Sequence, residues 1–393
     1  MAKPLTEATL EIIEATAPVV AAHADQIVPS MYKRLLAAPE IRALFNMSHQ
    51  HGNSPQHKAL AGALIAYATH IRNPGVLVSA LERIAQKHVG LQILPEHYPH
   101  VAKALLGAVS DVLGEAATPA ILEAWGEAYW FLADTLIERE EEIYSVSAAA
   151  EGGWRGWRRF EVIEKSPETP EITSFVLRPV DGGSVLRHRP GQYLSFRFAP
   201  EEGEEFRRNY SISSAPNGKT YRITVKREPG GRISNWLHDS VGVGYEIDVS
   251  APAGEFFLDP AGKHDVVLLS GGVGLTPMVS MLESYGGGNR RIVSVHAARD
   301  RERHAMRNAL SLGATESYVF YEQPTDADLN AGVRPGQIDV SWLAGISDTG
   351  STDYFVCGPV GFMKAIVGGL QAANVPAARI HYEFFGPAAE QIS

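Results

Sequence analysis

A chain of 393 residues is longer than one hydrophobic core usually supports, so two or three domains are expected. With 45% apolar and 20% charged residues it reads as globular, which excludes a disordered or collagen-like chain. A net charge of −10 argues against a nucleic-acid partner, and one cysteine, Cys357, cannot form an internal disulfide. No apolar run approaches ~18 residues, and the start around Lys3 and Pro4 has no signal-peptide core. A cytoplasmic protein with no obligatory membrane partner is the expectation.

Residues 1–150 hold 7 of the 37 glycines. Apolar residues recur there at three and four spacings, as in Leu60, Leu64, Tyr67 and Ile71, or Leu77, Leu81, Ile84 and His88. That pattern predicts six to eight helices of ordinary length, an all-α domain over 1–150. Glu151-Gly152-Gly153 reads as a linker. β-rich or alternating runs follow at Phe160–Ile163, Ile172–Leu177, Tyr193–Phe198 and Tyr221–Lys226, with turns at Asp181-Gly182-Gly183 and Asn217-Gly218. They predict a small antiparallel β-barrel over 151–262. Val266–Leu269, Ile292–His296 and Tyr354–Cys357 suit strands buried on both faces. Helical stretches separate them, which predicts a parallel-sheet α/β domain over 263–393.

Ser270-Gly271-Gly272-Val273-Gly274-Leu275-Thr276-Pro277 joins one buried strand to a helical pattern. Backbone N–H groups and a helix N-terminus there suit a pyrophosphate. The spacing is not G-x-G-x-x-G, because Thr276 stands near the third glycine's place, and a tight turn without ligand is the alternative. Cys357-Gly358-Pro359 follows a second buried strand. Two such turns at the carboxyl edge of a parallel sheet favour a nucleotide. Arg208-Asn209-Tyr210-Ser211 brings a guanidinium fork, an aromatic face and a hydroxyl to the entry of a strand. A surface arginine on an ordinary strand is the bland reading.

These motifs, with Gly230-Gly231-Arg232-Ile233-Ser234 and the tail Glu383-Phe384-Phe385-Gly386-Pro387, occur in the order of the ferredoxin-NADP reductase family, which residues 157–387 resemble. The resemblance implies FAD on the barrel and a nicotinamide dinucleotide on the α/β unit. Arg208 would meet the pyrophosphate with Asn209 beside it, Tyr210 would lie against the isoalloxazine, and Ser211 would sit near its N5. Tyr193 would touch the flavin, as would the tail of Phe384, Phe385, Gly386 and Pro387. Gly271, Gly272, Val273, Gly274, Leu275 and Thr276 would cradle NAD(P)H.

In the helical part, His88 closes Ile84-Ala85-Gln86-Lys87-His88, one turn after an apolar stripe. Taken alone, such a residue is more often packed or surface histidine than a ligand. With Leu44-Phe45-Asn46-Met47-Ser48, Tyr98 and a late Glu140, the segment resembles the globin domain of flavohaemoglobins, and globin followed by reductase resembles that family over the whole chain. The resemblance implies haem b, with His88 as the proximal iron ligand, Phe45 packed on the porphyrin, and Tyr98 and Glu140 polarising His88. Glu138, Glu141 and Glu142 flank Glu140, so a solvated acidic face stays open. Tyr32 matches the distal tyrosine that hydrogen-bonds the bound gas, Gln56 the distal glutamine and Leu60 the distal leucine, with His57 the rival for the polar position. Lys87 matches a lysine near the haem–flavin junction. Pro29, three residues before Tyr32, removes a backbone donor and is expected to kink that helix.

The implied activity is an NAD(P)H-dependent nitric oxide dioxygenase, an oxidoreductase whose small-molecule partners are dioxygen, nitric oxide and NAD(P)H. A single-chain monomer is expected. A haem-based gas sensor with self-reduction, or a flavin reductase with a structural head, are the alternatives. Arg299 and Arg301, after the strand ending at His296, leave NADH against NADPH open.

Overall fold

A computed structural model describes residues 3–45, 55–286, 288 and 290–385, the side chains of 55–61 excepted. The chain forms two compact units. Over the described residues, one holds the chain up to Ala149 with Gly203–Arg208, and the other holds Ala150–Glu202 with Asn209–Phe385.

Among the described residues the first unit has seven α-helices: α1 (Glu7–Ala22), α2 (Ala24–Leu35), α3 (Pro39–Arg42), α4 (Pro55–Thr69), α5 (Val78–Leu91), α6 (Tyr98–Leu113) and α7 (Pro119–Ala149). Thr6 caps α1 by accepting from the Thr9 amide. Gln92, in the left-handed region, ends α5. α2 runs unbroken through Pro29, and its buried stripe is Ile27, Val28, Met31, Tyr32 and Leu35. At 31 residues, α7 is far longer than an ordinary helix. One core joins these helices, with Ile13, Met31, Ala85, Ala108, Val109 and Ala133 almost wholly shielded from solvent.

Two six-stranded sheets follow the helices along the chain. The first comprises β1 (Arg158–Thr169), β2 (Ile172–Pro179), β3 (Tyr193–Phe198), β4 (Phe206–Ser211), β5 (Tyr221–Lys226) and β6 (Glu246–Val249), with α8 (Arg232–Ser240) between the last two. Its order is β4-β3-β6-β1-β2-β5, and β1 pairs antiparallel with both β2 and β6. Among the described residues, the two ends of the sheet are joined by the isolated bridge Ile212↔Ile223. The expected antiparallel FAD-domain sheet is therefore present, but no continuous ladder closes it into a barrel.

The second sheet is parallel throughout, as the unbroken apolar runs predict. It comprises β7 (Val266–Gly271), β8 (Ile292–Ala298), β9 (Glu316–Tyr321), β10 (Arg334–Pro335), β11 (Asp353–Cys357) and β12 (Ile380–Glu383), in the order β10-β9-β8-β7-β11-β12. Every residue of β7 is buried. α9 (Leu275–Tyr285) follows β7, and α10 (Val360–Ala372) follows β11. Both glycine turns thus open at the carboxyl edge of two adjacent central strands, β7 and β11. No helix among the described residues is long and apolar enough to cross a membrane.

Candidate functional site

Within the first unit, α5, α6 and α7 bring three predicted residues together. His88 Nδ1 lies 2.7 Å from Glu140 Oε1 and 3.1 Å from the Tyr98 hydroxyl. Tyr98 donates to the same Glu140 oxygen at 2.5 Å. Glu140 is 2% exposed, whereas Glu138, Glu141 and Glu142 are exposed, which separates it from the acidic run around it. Burial and the neighbouring carboxylate push the Tyr98 hydroxyl well above its usual range, so it serves as a donor. Tyr129 donates to the Tyr98 carbonyl at 2.8 Å and fixes the start of α6. Nδ1 is the ring nitrogen that these two side chains engage, which leaves Nε2 as the one an imidazole would offer to a metal.

The apolar stripe of α2 buries Tyr32, and its ring meets Phe45 edge-on with centroids 5.8 Å apart. Burial pushes its hydroxyl up to about 12. Lys87 is half-buried on α5, directly before His88. Gln56, its rival His57 and Leu60 fall on α4, but their side chains lie outside the described residues.

β4 starts at Phe206, so Arg208, Asn209, Tyr210 and Ser211 are the last four residues of a strand rather than its entry. Arg208 Nη1 donates to the Arg207 carbonyl at 2.7 Å. Ser195 on β3 donates to Asn209 Oδ1 at 2.7 Å. Tyr210 presents its ring edge-on to the stacked pair Phe196 and Phe198. Tyr193 is buried, and a Cβ on Gly254 would come within 2.9 Å of its ring, so only glycine fits there. Burial first, then the Glu383 charge, hold the Tyr193 phenol far above its usual range. Phe384 is half-buried and Phe385 exposed, while Gly386 and Pro387 lie outside the described residues.

At the second turn, β7 ends at Gly271, Gly272–Gly274 makes one tight turn, and α9 starts at Leu275. Gly272 has φ +52°, where a side chain is strained. A Cβ on Gly274 would sit 2.3 Å from the Cys357 carbonyl, so the two glycine turns are packed against each other. Thr276 donates to the Val273 carbonyl at 3.1 Å and closes the turn. Cys357 is buried, its thiol pushed up by burial and by Glu383.

Two partners were not legible in the sequence. Ser195, which holds Asn209, is one of four consecutive buried residues of β3, so no alternation singles it out. Glu383 reaches the surroundings of Tyr193 only because β12 pairs with β11, a pairing that no local pattern announces.

Comparisons with known proteins match three stretches of the chain. The globin family model matches residues 29–136, the oxidoreductase FAD-binding domain 159–258 and the oxidoreductase NAD-binding domain 268–368. A flavohemoprotein of Xylella fastidiosa is 48% identical over 392 residues, covering 98% of each chain. The chain belongs to the flavohemoprotein family. It is accordingly an oxidoreductase with a globin part, an FAD-binding part and an NAD-binding part, as the sequence led us to expect. The solved flavohemoglobin of Malassezia yamatoensis, with bound FAD and heme, superposes with a TM-score of 0.86 at 28% identity, over 98% of this chain and all of that one. The flavohem-like FAD/NAD-binding domain of a nitric oxide dioxygenase from Vibrio cholerae gives 0.54 at 37% identity, over 59% of this chain and all of that one.

Proposed function

We propose that the chain is a nitric oxide dioxygenase that spends NAD(P)H to turn nitric oxide and dioxygen into nitrate, with functional domains at 1–150, 151–262 and 263–393. The observation that carries the reading is the triangle of His88, Glu140 and Tyr98 in a globin unit on the same polypeptide as FAD- and NAD-binding domains. The Vibrio cholerae relative, named a nitric oxide dioxygenase, supports it. When bound, haem, FAD and NAD(P)H would supply the redox chemistry, a route for electrons from the dinucleotide to the iron.

The residues fit that cargo. His88 holds its proton at Nδ1 against Glu140, leaving Nε2 to bind iron. Because the carboxylate draws on that proton, the ring donates more strongly. Tyr98, kept protonated by burial and by Glu140, holds the carboxylate in place. Tyr32 keeps its proton through the physiological range and is assigned the distal hydroxyl that hydrogen-bonds the bound gas. Phe45 beside it, with Leu60, would line the porphyrin, and Gln56 would supply the second distal polar group. Arg208 would bind flavin pyrophosphate, Tyr210 and Tyr193 the isoalloxazine, and the backbone amides of Gly271–Thr276 the dinucleotide pyrophosphate. The reading is of a cytoplasmic enzyme that works as one chain.

Purified protein supplied with nitric oxide in air, and with NADH or NADPH, tests it. Nitrate rising in proportion to nicotinamide oxidised supports the proposal. Nicotinamide oxidation without nitrate would leave a flavin reductase or a gas sensor.

A further inference from the structure

Three neighbouring strands of the parallel sheet are tied together near their carboxyl ends by buried polar side chains. Ser270 on β7 stands in register with His296 on β8, and Tyr321 ends β9 opposite Ala298. Ser270 Oγ and His296 Nδ1 are 2.8 Å apart. The His296 ring lies against that of His304, with centroids 4.3 Å apart and planes tilted by 31°. His304 comes from the loop 299–306 after β8, and its Nδ1 is 2.9 Å from the Tyr321 hydroxyl. All four residues are at most 4% exposed.

Each imidazole makes one protein hydrogen bond, through Nδ1, and the buried Nε2 atoms have no protein partner among the described residues. Burial holds His304 down to about 3 and His296 well below the usual histidine range, so both rings are neutral at physiological pH. Such polar groups in a sheet interior cost free energy that an apolar residue would not. Their position suggests what offsets the cost. Ser270 is the residue immediately before Gly271, where the glycine turn leaves the sheet. The rest of the turn is held by the Thr276–Val273 bond and by packing of Gly271 and Gly274 on residues 357–362. Among the described residues, it is Ser270 that ties its base sideways to the next strand through a side chain.

We infer that the chain Ser270–His296–His304–Tyr321 is a positioning device that sets the affinity of the Gly271–Thr276 turn for the nicotinamide dinucleotide. The inference rests on the dinucleotide role proposed for that turn. Backbone amides grip a pyrophosphate only when held to within about half an ångström, and the cross-strand chain supplies that support from the sheet side. Losing one such buried hydrogen bond corresponds to about a fivefold change in affinity.

The test uses the full, FAD-loaded chain with ferricyanide as electron acceptor and reads KM and kcat for NADH and NADPH. Ser270→Ala and His296→Leu should each raise KM about fivefold, with kcat moving less and flavin absorbance retained. The double variant should match either single rather than their product. His296→Asn, whose amide reaches the Nδ1 position, should stay near wild type. Unchanged KM in both singles would overturn the inference. So would equal impairment of His296→Asn and His296→Leu, or a wild-type KM in the double variant, since each would indicate packing alone. Should Ser270→Ala fail to fold because His296 loses its one partner, the double variant, with both polar groups removed, decides by the same KM. A wild-type chain that reduces no ferricyanide with either dinucleotide would overturn the reading of the turn itself, and this inference with it.

Discussion

His88 Nδ1 and Glu140 Oε1 meet at 2.7 Å although 52 positions separate them in the chain. A buried carboxylate at that distance selects the tautomer and orients the ring, which is what an iron-binding imidazole requires. Replacing Glu140 by Gln keeps the shape and removes the charge. We expect turnover to fall about 10- to 100-fold and the haem midpoint potential to rise, because a less basic imidazole stabilises ferric iron less. Tyr98→Phe should shift the potential in the same direction by less. Redox titration of the Soret band checks both, and an unmoved potential would remove Glu140 from the role proposed.

His88→Ala removes the nitrogen assigned to iron. The variant should lose haem absorbance while keeping FAD and the NAD(P)H-driven reduction of ferricyanide, since the second unit has its own sheets and cores. Parallel loss of flavin would indicate a folding defect.

Tyr32→Phe should slow nitric oxide turnover and speed dissociation of bound oxygen, measured by stopped-flow absorbance. Equal rates in variant and wild type would leave Tyr32 as a core residue.

Alkaline stability follows from the buried tyrosines. Burial raises the hydroxyl of Tyr32 to about 12, and those of Tyr67 and Tyr129 further. An acid that keeps its proton when folded but loses it at about 10 when unfolded stabilises the fold fully below that pH. Above it the unfolded chain gains by ionising. Thermal stability of the globin unit should therefore be insensitive to tyrosine ionisation below pH 10 and fall from there towards 12, by about 1.4 kcal/mol per pH unit for each such residue. Melts followed by haem absorbance across that range check the slope.

Gly274→Ala places a methyl group against the Cys357 carbonyl, a contact of 2.3 Å that neither backbone can relieve without shifting. The KM for NAD(P)H should rise well above the wild-type value while flavin content holds. An unaffected KM would detach this turn from the dinucleotide.

Much of this architecture was readable from the chain itself, for physical reasons. Glycine scarcity in residues 1–150 marked the helical unit, and Val266–Leu269 marked a central parallel strand because both faces are covered. Other features depend on tertiary context. Glu246–Val249 is too short for alternation to register, yet it becomes β6 because β1 and β3 both pair with it. The break between α1 and α2 falls at His23 rather than at Pro29, because packing of the stripe from Ile27 to Leu35 carries the helix past the missing donor. Arg299 and Arg301 after β8 bear on NADH against NADPH by residue type alone, whereas His296 and His304 in the same stretch carry no local sign that they stack. Glu140 stood among four acidic residues, and only helix packing singles it out.

The most direct test of the central claim is a stoichiometry. Forming nitrate from nitric oxide and dioxygen takes up one electron, and NAD(P)H delivers two, so two nitrate ions are expected for each NAD(P)H oxidised in air. A ratio near zero, with nitric oxide left unconsumed while NAD(P)H is oxidised, would contradict it.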